Sequence, residues 1–177
     1  YQVIKDILKN YVIGFDIVKT SENECTIENI TEPAEDQFDI IFNKILLNIS
    51  SLIKITKERL QTNEKSSEYK DIVLRIHKYD NFCRRVITKT NRFGTKSNLF
   101  WTFMTLISHG QRELYYLNKY LDNNKITFKN IKFYENLEKI FSLLQDSYLK
   151  KEIKNLETIH DLEKTILYKD FYNLIQK

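Results

Sequence analysis

Apolar positions between residues 68 and 87 fall at Tyr69, Val73, Ile76, Cys83 and Ile87, stepping by three and four apart from one longer gap. That spacing predicts a helix over 67–90 with one face turned to a core. Asp80 fills the gap, so a seam built to exclude water carries a carboxylate in its middle. An aspartate there reads as a metal ligand, as half of an ion pair, or as a residue at the rim of the stripe.

The same ruler finds more helices. Phe38, Ile41, Ile45, Ile49, Leu52, Thr56 and Leu60 mark one face of a long helix, and Phe42, Leu46 and Ile53 widen its stripe. A stripe that wide predicts cover on more than one side. A third helix begins near Ser97, with a seam drawn through Phe100, Phe103, Ile107, Gly110, Leu114, Leu117 and Leu121. Gly110 in that seam predicts close approach by a neighbouring backbone, since a mid-helix glycine otherwise costs roughly 1 kcal/mol against alanine. Phe133, Leu137, Ile140, Leu144 and Tyr148 predict a fourth helix; Leu156, Ile159, Ile166 and the closing "FYNLI" predict a fifth.

The N-terminal end changes period. Val3, Ile7 and Tyr11 are helical over 2–13, and Gly14 is placed to stop that helix. Phe15, Ile17 and Lys19, then Cys25, Ile27 and Asn29, alternate around the turn-rich "TSENE", which predicts a β-hairpin over about 15–30. In "ITEPAEDQF", Pro33 suits the first turn of the following helix, and Glu35 and Asp36 suit the positive end of its dipole.

Long helices joined by short loops pack antiparallel. The expected fold is mainly α: an antiparallel helical bundle with a short N-terminal β-hairpin. Residues 1–32 would form a helix-and-hairpin connector and 33–177 one compact bundle, its last two helices starting a second layer.

Composition narrows this. Three glycines and one proline in 177 residues exclude a loop-built or all-β protein. With 42% hydrophobic and 29% charged residues the chain can bury a core. No run of 18 apolar residues occurs, so membrane insertion is not expected and a cytoplasmic location is. The chain opens mid-helix on Tyr1, which suggests a preceding segment. Cys25 and Cys83 have no metal or disulfide spacing and read as reduced packing residues. The net charge of +4 mixes 28 basic with 24 acidic residues and does not call for nucleic acid.

Candidate chemistry is sparse. His77 is the only co-ligand one turn from Asp80, whereas Arg84, at i+4, would neutralise it. His109 and Glu113 are also one turn apart but flank the seam, which favours a solvated pair over two ligands. His160 and Asp161 read as a helix-start cap. The basic-aromatic run "RELYYLNKY" (112–120) reads better as Tyr115, Tyr116 and Tyr120 burying rings than as a stacking surface for bases. No nucleophile elbow, phosphate loop or HExxH motif occurs. The expectation is therefore no enzyme and no cofactor.

The order of a helix, "YVIGFDIVKTSENECTIENITEP" and the long helices "EDQFDIIFNKILLNISSLIKITKERL" and "IVLRIHKYDNFCRRVI" resembles archaeal PhoU-like regulators. In that family an AbrB/SpoVT-type DNA-binding domain precedes a PhoU helical domain. "LISHGQRELYYLNKYL" is similar to the third PhoU helix. The resemblance covers most of residues 1–122 and implies a regulator of phosphate uptake or transcription. It implies a protein partner or homodimer, with DNA contact only through an N-terminal domain that this chain lacks. It also implies paired acidic ligands for metal clusters, but Ser108 and Arg112 stand where one such pair would be. Asp80 then looks like the remnant of an acidic motif, held by Arg84 or Arg85, and no metal is expected. The alternatives are a metal-binding helical bundle and a structural adaptor in a larger assembly.

Overall fold

The computed structural model describes residues 2–21, 23–32, 34–126 and 131–170. Expectations placed on Pro33, on Glu22 in the hairpin turn and on "FYNLI" lie outside these residues. Among the described residues the order is α1 (Gln2–Tyr11), β1 (Phe15–Thr20), β2 (Cys25–Asn29), α2 (Gln37–Thr62), α3 (Glu68–Lys89), α4 (Ser97–Asn123), α5 (Lys132–Lys150) and α6 (Asn155–Thr165). A 3₁₀ turn, Gly94–Lys96, leads into α4, and a π-helical turn, Ile166–Asp170, follows α6. The expected mainly helical bundle with its hairpin is the observed fold.

The chain forms two compact units, and neither begins at residue 33. The first comprises Tyr1–Ile45 and Lys70–Arg112, the second Leu46–Tyr69 and Glu113–Lys177. The helix-and-hairpin segment falls within the first unit.

In the first unit α3 runs antiparallel to α2 and α4: Asp80 and Arg84 of α3 meet Ser108 and Thr105 of α4 in reverse order. Phe38 and Phe42 of α2 meet Phe100 and Phe103 of α4 in the same order. Phe93, from the α3–α4 connection, stacks on Phe100 at 3.8 Å and meets Phe38 edge-on at 4.9 Å. Arg92 beside it reaches back to Asp39 at 2.5 Å and to the Glu35 carbonyl. Each fully buried ring stabilises by about 1.5–3 kcal/mol.

The hairpin is antiparallel with Phe15 opposite Asn29 and Ile17 opposite Ile27, and a bulge falls at Val18. Gly14 does not stop α1, which ends at Tyr11. Instead its φ of +85° turns the chain into β1, and its carbonyl accepts from the Ile30 and Thr31 amides to close the hairpin. A Cβ there would stand 2.5 Å from the Thr31 carbonyl oxygen. The carbonyls at the end of α1 are satisfied from α3: Lys78 donates to Lys9, Asn81 to Tyr11 and Arg85 to Ile13, at 2.7–2.8 Å. Cationic side chains suit the negative end of a helix.

In the second unit α5 packs against α6, and Lys57 of α2 pairs with Glu138 of α5 at 2.6 Å. Leu60, Leu121 and Tyr134 form its buried apolar cluster, with Leu117 and Phe133 against it.

Candidate functional site

The α3 seam is as the spacing predicts: Tyr69, Val73, Ile76, Cys83 and Ile87 are buried, and so is Asp80, at 9% exposure. A carboxylate that deep needs partners, because burial without them strongly disfavours the charge. Asp80 has two. Arg84 Nε donates to Oδ2 at 2.8 Å, and the Ser108 hydroxyl donates to Oδ1 at 3.1 Å. Arg84 extends the chain of contacts: its Nη1 meets Thr105 Oγ1 at 3.3 Å and its guanidinium lies 4.6 Å from the Trp101 ring centre. Thr105 in turn donates to the Trp101 carbonyl. The arrangement is a closed clasp between α3 and α4, made by Arg84 rather than Arg85. Arg85 points the other way, to the Ile13 carbonyl and over the Phe15 ring at 4.4 Å.

Ser108, on the facing helix, is thus a direct hydrogen-bond partner of Asp80. Both Asp80 oxygens are engaged, and the Arg84 cation already balances the carboxylate charge. His77, the candidate co-ligand, is half-buried one turn earlier with its ring 6.3 Å from Tyr11. Burial pushes its pKa below the ordinary value; Asp80 opposes that shift and Arg112 reinforces it. Burial likewise pushes the Cys83 thiol up, so it stays protonated and unreactive. Among the described residues no three His, Cys, Asp or Glu side chains gather to hold a metal.

The other candidates are dispersed. His109 is exposed and accepts from Arg112 through Nδ1 at 2.8 Å, and Glu113 is exposed as well. His160 does not start a helix; it lies within α6, 3.6 Å from Glu163. Tyr116 and Tyr120 are each 54% exposed instead of burying their rings, and only Tyr115 is half-buried, near Tyr69.

Gly110 requires a correction. It is exposed, and a Cβ built on it meets nothing within 4 Å. The buried face of α4 runs through Met104, Ile107, Gln111, Asn118 and Leu121, with polar residues at two of the five positions. The expected seam shares Ile107 and Leu121 with that face but otherwise runs along its half-buried flank, through Phe100, Phe103, Leu114 and Leu117, and meets solvent at Gly110.

Asn118 belongs to a second network, in the second unit, which apolar spacing does not reveal. Arg59 is 3% exposed and donates from Nη1 to both the carbonyl and the Oδ1 of Asn118, each at 2.9 Å. Its Nη2 meets Asp122 at 2.7 Å. The Asn118 amide donates to Thr56 at 2.6 Å, and the Tyr69 hydroxyl donates to the other Asp122 oxygen at 2.6 Å. Burial and the Asp122 carboxylate push the Tyr69 pKa well above the ordinary tyrosine value. The sequence signal was Arg59 itself, three residues after Thr56 on the stripe and thus inside the bundle. Asn136 and Asp170 form a further buried pair at 2.6 Å.

These networks join helices within each unit. Compared with known proteins, the sequence matches no family model, no curated protein and no solved structure.

Proposed function

We propose that this chain is a non-catalytic regulatory or interaction module, of the PhoU-like kind that its helix and connector patterns resemble, working in phosphate-uptake or transcriptional control through a protein partner or homodimer. The observation that carries the interaction role is the outer flank of α4. Leu99 and Leu106 are 67% and 65% exposed, and with Phe103 and Gly110 they step by four, three and four along the helix. Such spacing is the seam of a helix–helix contact, and large exposed apolar side chains in a row mark interaction surfaces. The sealed Asp80 clasp supports the non-catalytic part, since the most deeply placed acid of α3 is committed to Arg84 and Ser108. On this reading DNA contact belongs to a separate domain. Exposed Tyr116 and Tyr120 favour a related second reading, a structural adaptor docked on a larger assembly.

Light scattering across a concentration series tests the homodimer form. Self-association that disappears in the Leu99→Lys/Leu106→Lys variant, with helicity intact, is the expected result. A strict monomer at high concentration whose behaviour the double substitution leaves unchanged would remove this surface from the proposal. Mobility shifts at about 150 mM salt test the division of labour: duplex DNA should be held weakly and without sequence preference, because the mixed charges make no concentrated phosphate-contacting stripe. Tight, sequence-selective retention by residues 1–177 would place DNA reading in these helices instead.

A further inference from the structure

From Asn81 to Arg112 the chain contains no Asp or Glu, although the whole sequence has 24 of them. The same stretch holds Arg84, Arg85, Lys89, Arg92, Lys96 and Arg112. Four of these cations are already committed: Arg84 to Asp80, Arg85 to the Ile13 carbonyl, Lys89 to Glu32 and Arg92 to Asp39. Lys96 is exposed and makes no ion pair among the described residues.

A cleft of about 430 Å³ opens where the end of α3 faces the start of α4, lined by Ile87, Thr88, Ser97, Asn98 and Trp101. That volume is in the range of small-ligand sites, about 300–1,000 Å³. Its walls are chemically selective. The Trp101 indole is 40% exposed and held against the Arg84 guanidinium, which fixes a flat aromatic surface at the edge of the cleft. The Thr88 hydroxyl donates to the Arg84 and Arg85 carbonyls, and the Ser97 hydroxyl to the Gly94 carbonyl. Both hydroxyls therefore offer only acceptor lone pairs to a ligand. The exposed Asn98 amide, with no side-chain hydrogen bond among the described residues, offers donors and an acceptor.

A cationic ligand would find no carboxylate here, and a purely apolar one would strand Asn98, Ser97 and Thr88. An anion carrying a flat ring and an edge rich in N–H or O–H groups meets every wall. We propose that this cleft is a nucleotide site, with the base against Trp101, base or ribose donors on Thr88, Ser97 and Asn98, and the phosphate toward Lys96. Stacking on an aromatic side chain is tolerant of base identity, so the site is assigned to the nucleotide class and not to one base. The same chemistry arrives as a free nucleotide or as one unit of a single strand. The proposal is independent of the PhoU-like reading.

Trp101 is the sole tryptophan of the chain, so intrinsic tryptophan emission reports on this cleft alone. The full chain should be titrated with AMP, ATP, a short single-stranded oligonucleotide and inorganic phosphate, with calorimetry alongside. Saturable quenching by AMP or ATP is expected. Lys96→Glu should weaken binding about tenfold, because it reverses the charge of the exposed residue that directly precedes Ser97 of the cleft wall. Asn98→Ala should weaken it several-fold, and Trp101→Leu should abolish the heat of binding. Equal affinity for AMP and for the oligonucleotide, per site, identifies the free nucleotide as the source; much tighter oligonucleotide binding identifies the strand. Thermal melts of the exposed Lys96 and Asn98 variants separate loss of binding from loss of fold. The proposal is overturned by an absence of quenching up to about 5 mM nucleotide, at the weak end of small-ligand affinities, by inorganic phosphate competing as well as AMP, or by unchanged affinity in Lys96→Glu.

Discussion

At the scale of single residues, Asp80 and Gly110 respond to substitution in opposite directions. Asp80→Ala would leave the Arg84 guanidinium and the Ser108 hydroxyl without their acceptor in a place where the ion pair is only 18% and 12% exposed. Removing one partner of such a pair costs more than the pair contributes, and the residual exposure moderates the loss to about 1.5–3 kcal/mol. Urea melts check it, and Arg84→Met in the Asp80→Ala background should recover part of the loss. If Asp80→Ala melts like the parent, the clasp contributes no stability. Gly110→Ala should instead stabilise by about 0.5–1 kcal/mol, because the site is helical, exposed and open around an added Cβ. Gly110→Leu should fold without loss of melting temperature, and a large drop would mean that a neighbour does approach there.

At the scale of elements, legibility followed the chemistry of each face. The seam of α3 was read correctly in phase because apolar residues occupy nearly every buried position and Asp80 sits in register with them. The faces of α2 and α4 in the second unit were harder, since Arg59, Asn118 and Asp122 bury polar groups against one another and an apolar ruler passes over them. On α4 the apolar spacing passes over buried Gln111 and Asn118 and lands on exposed Gly110. No spacing rule reports that Ser108 and Asp80 face each other across two helices; that needs coordinates. Arg59 shows what such a network does. Arg59→Met should cost about 2–4 kcal/mol, because it removes the Arg59 donors from Asp122 Oδ1 and from the Asn118 carbonyl and side-chain oxygen, while Asp122 stays 28% exposed and keeps the Tyr69 hydroxyl. Tyr69→Phe removes one hydrogen bond and should cost about 1 kcal/mol. Denaturant unfolding of both variants is the check, and a neutral Arg59→Met would mean that packing alone holds these helices.

At the scale of the whole molecule, His77 links folding to pH. Its folded pKa is depressed, so the unfolded chain binds the proton more readily over the range just below 6.5, its unperturbed value. Stability is then fully present above that pH and declines as pH falls toward the lowered folded value. Thermal melts across pH 5–8 should show the decline, and His77→Gln should flatten it; an unchanged profile in that variant would assign the dependence to other groups. The attachment of the N-terminal helix has a different kind of consequence. Lys78, Asn81 and Arg85 hold it by main-chain carbonyls, at Lys9, Tyr11 and Ile13, and every residue type presents a carbonyl. The exposed side chains Val3 and Ile7 can therefore be exchanged during evolution while the anchorage persists, because what holds the end of α1 is indifferent to side-chain identity.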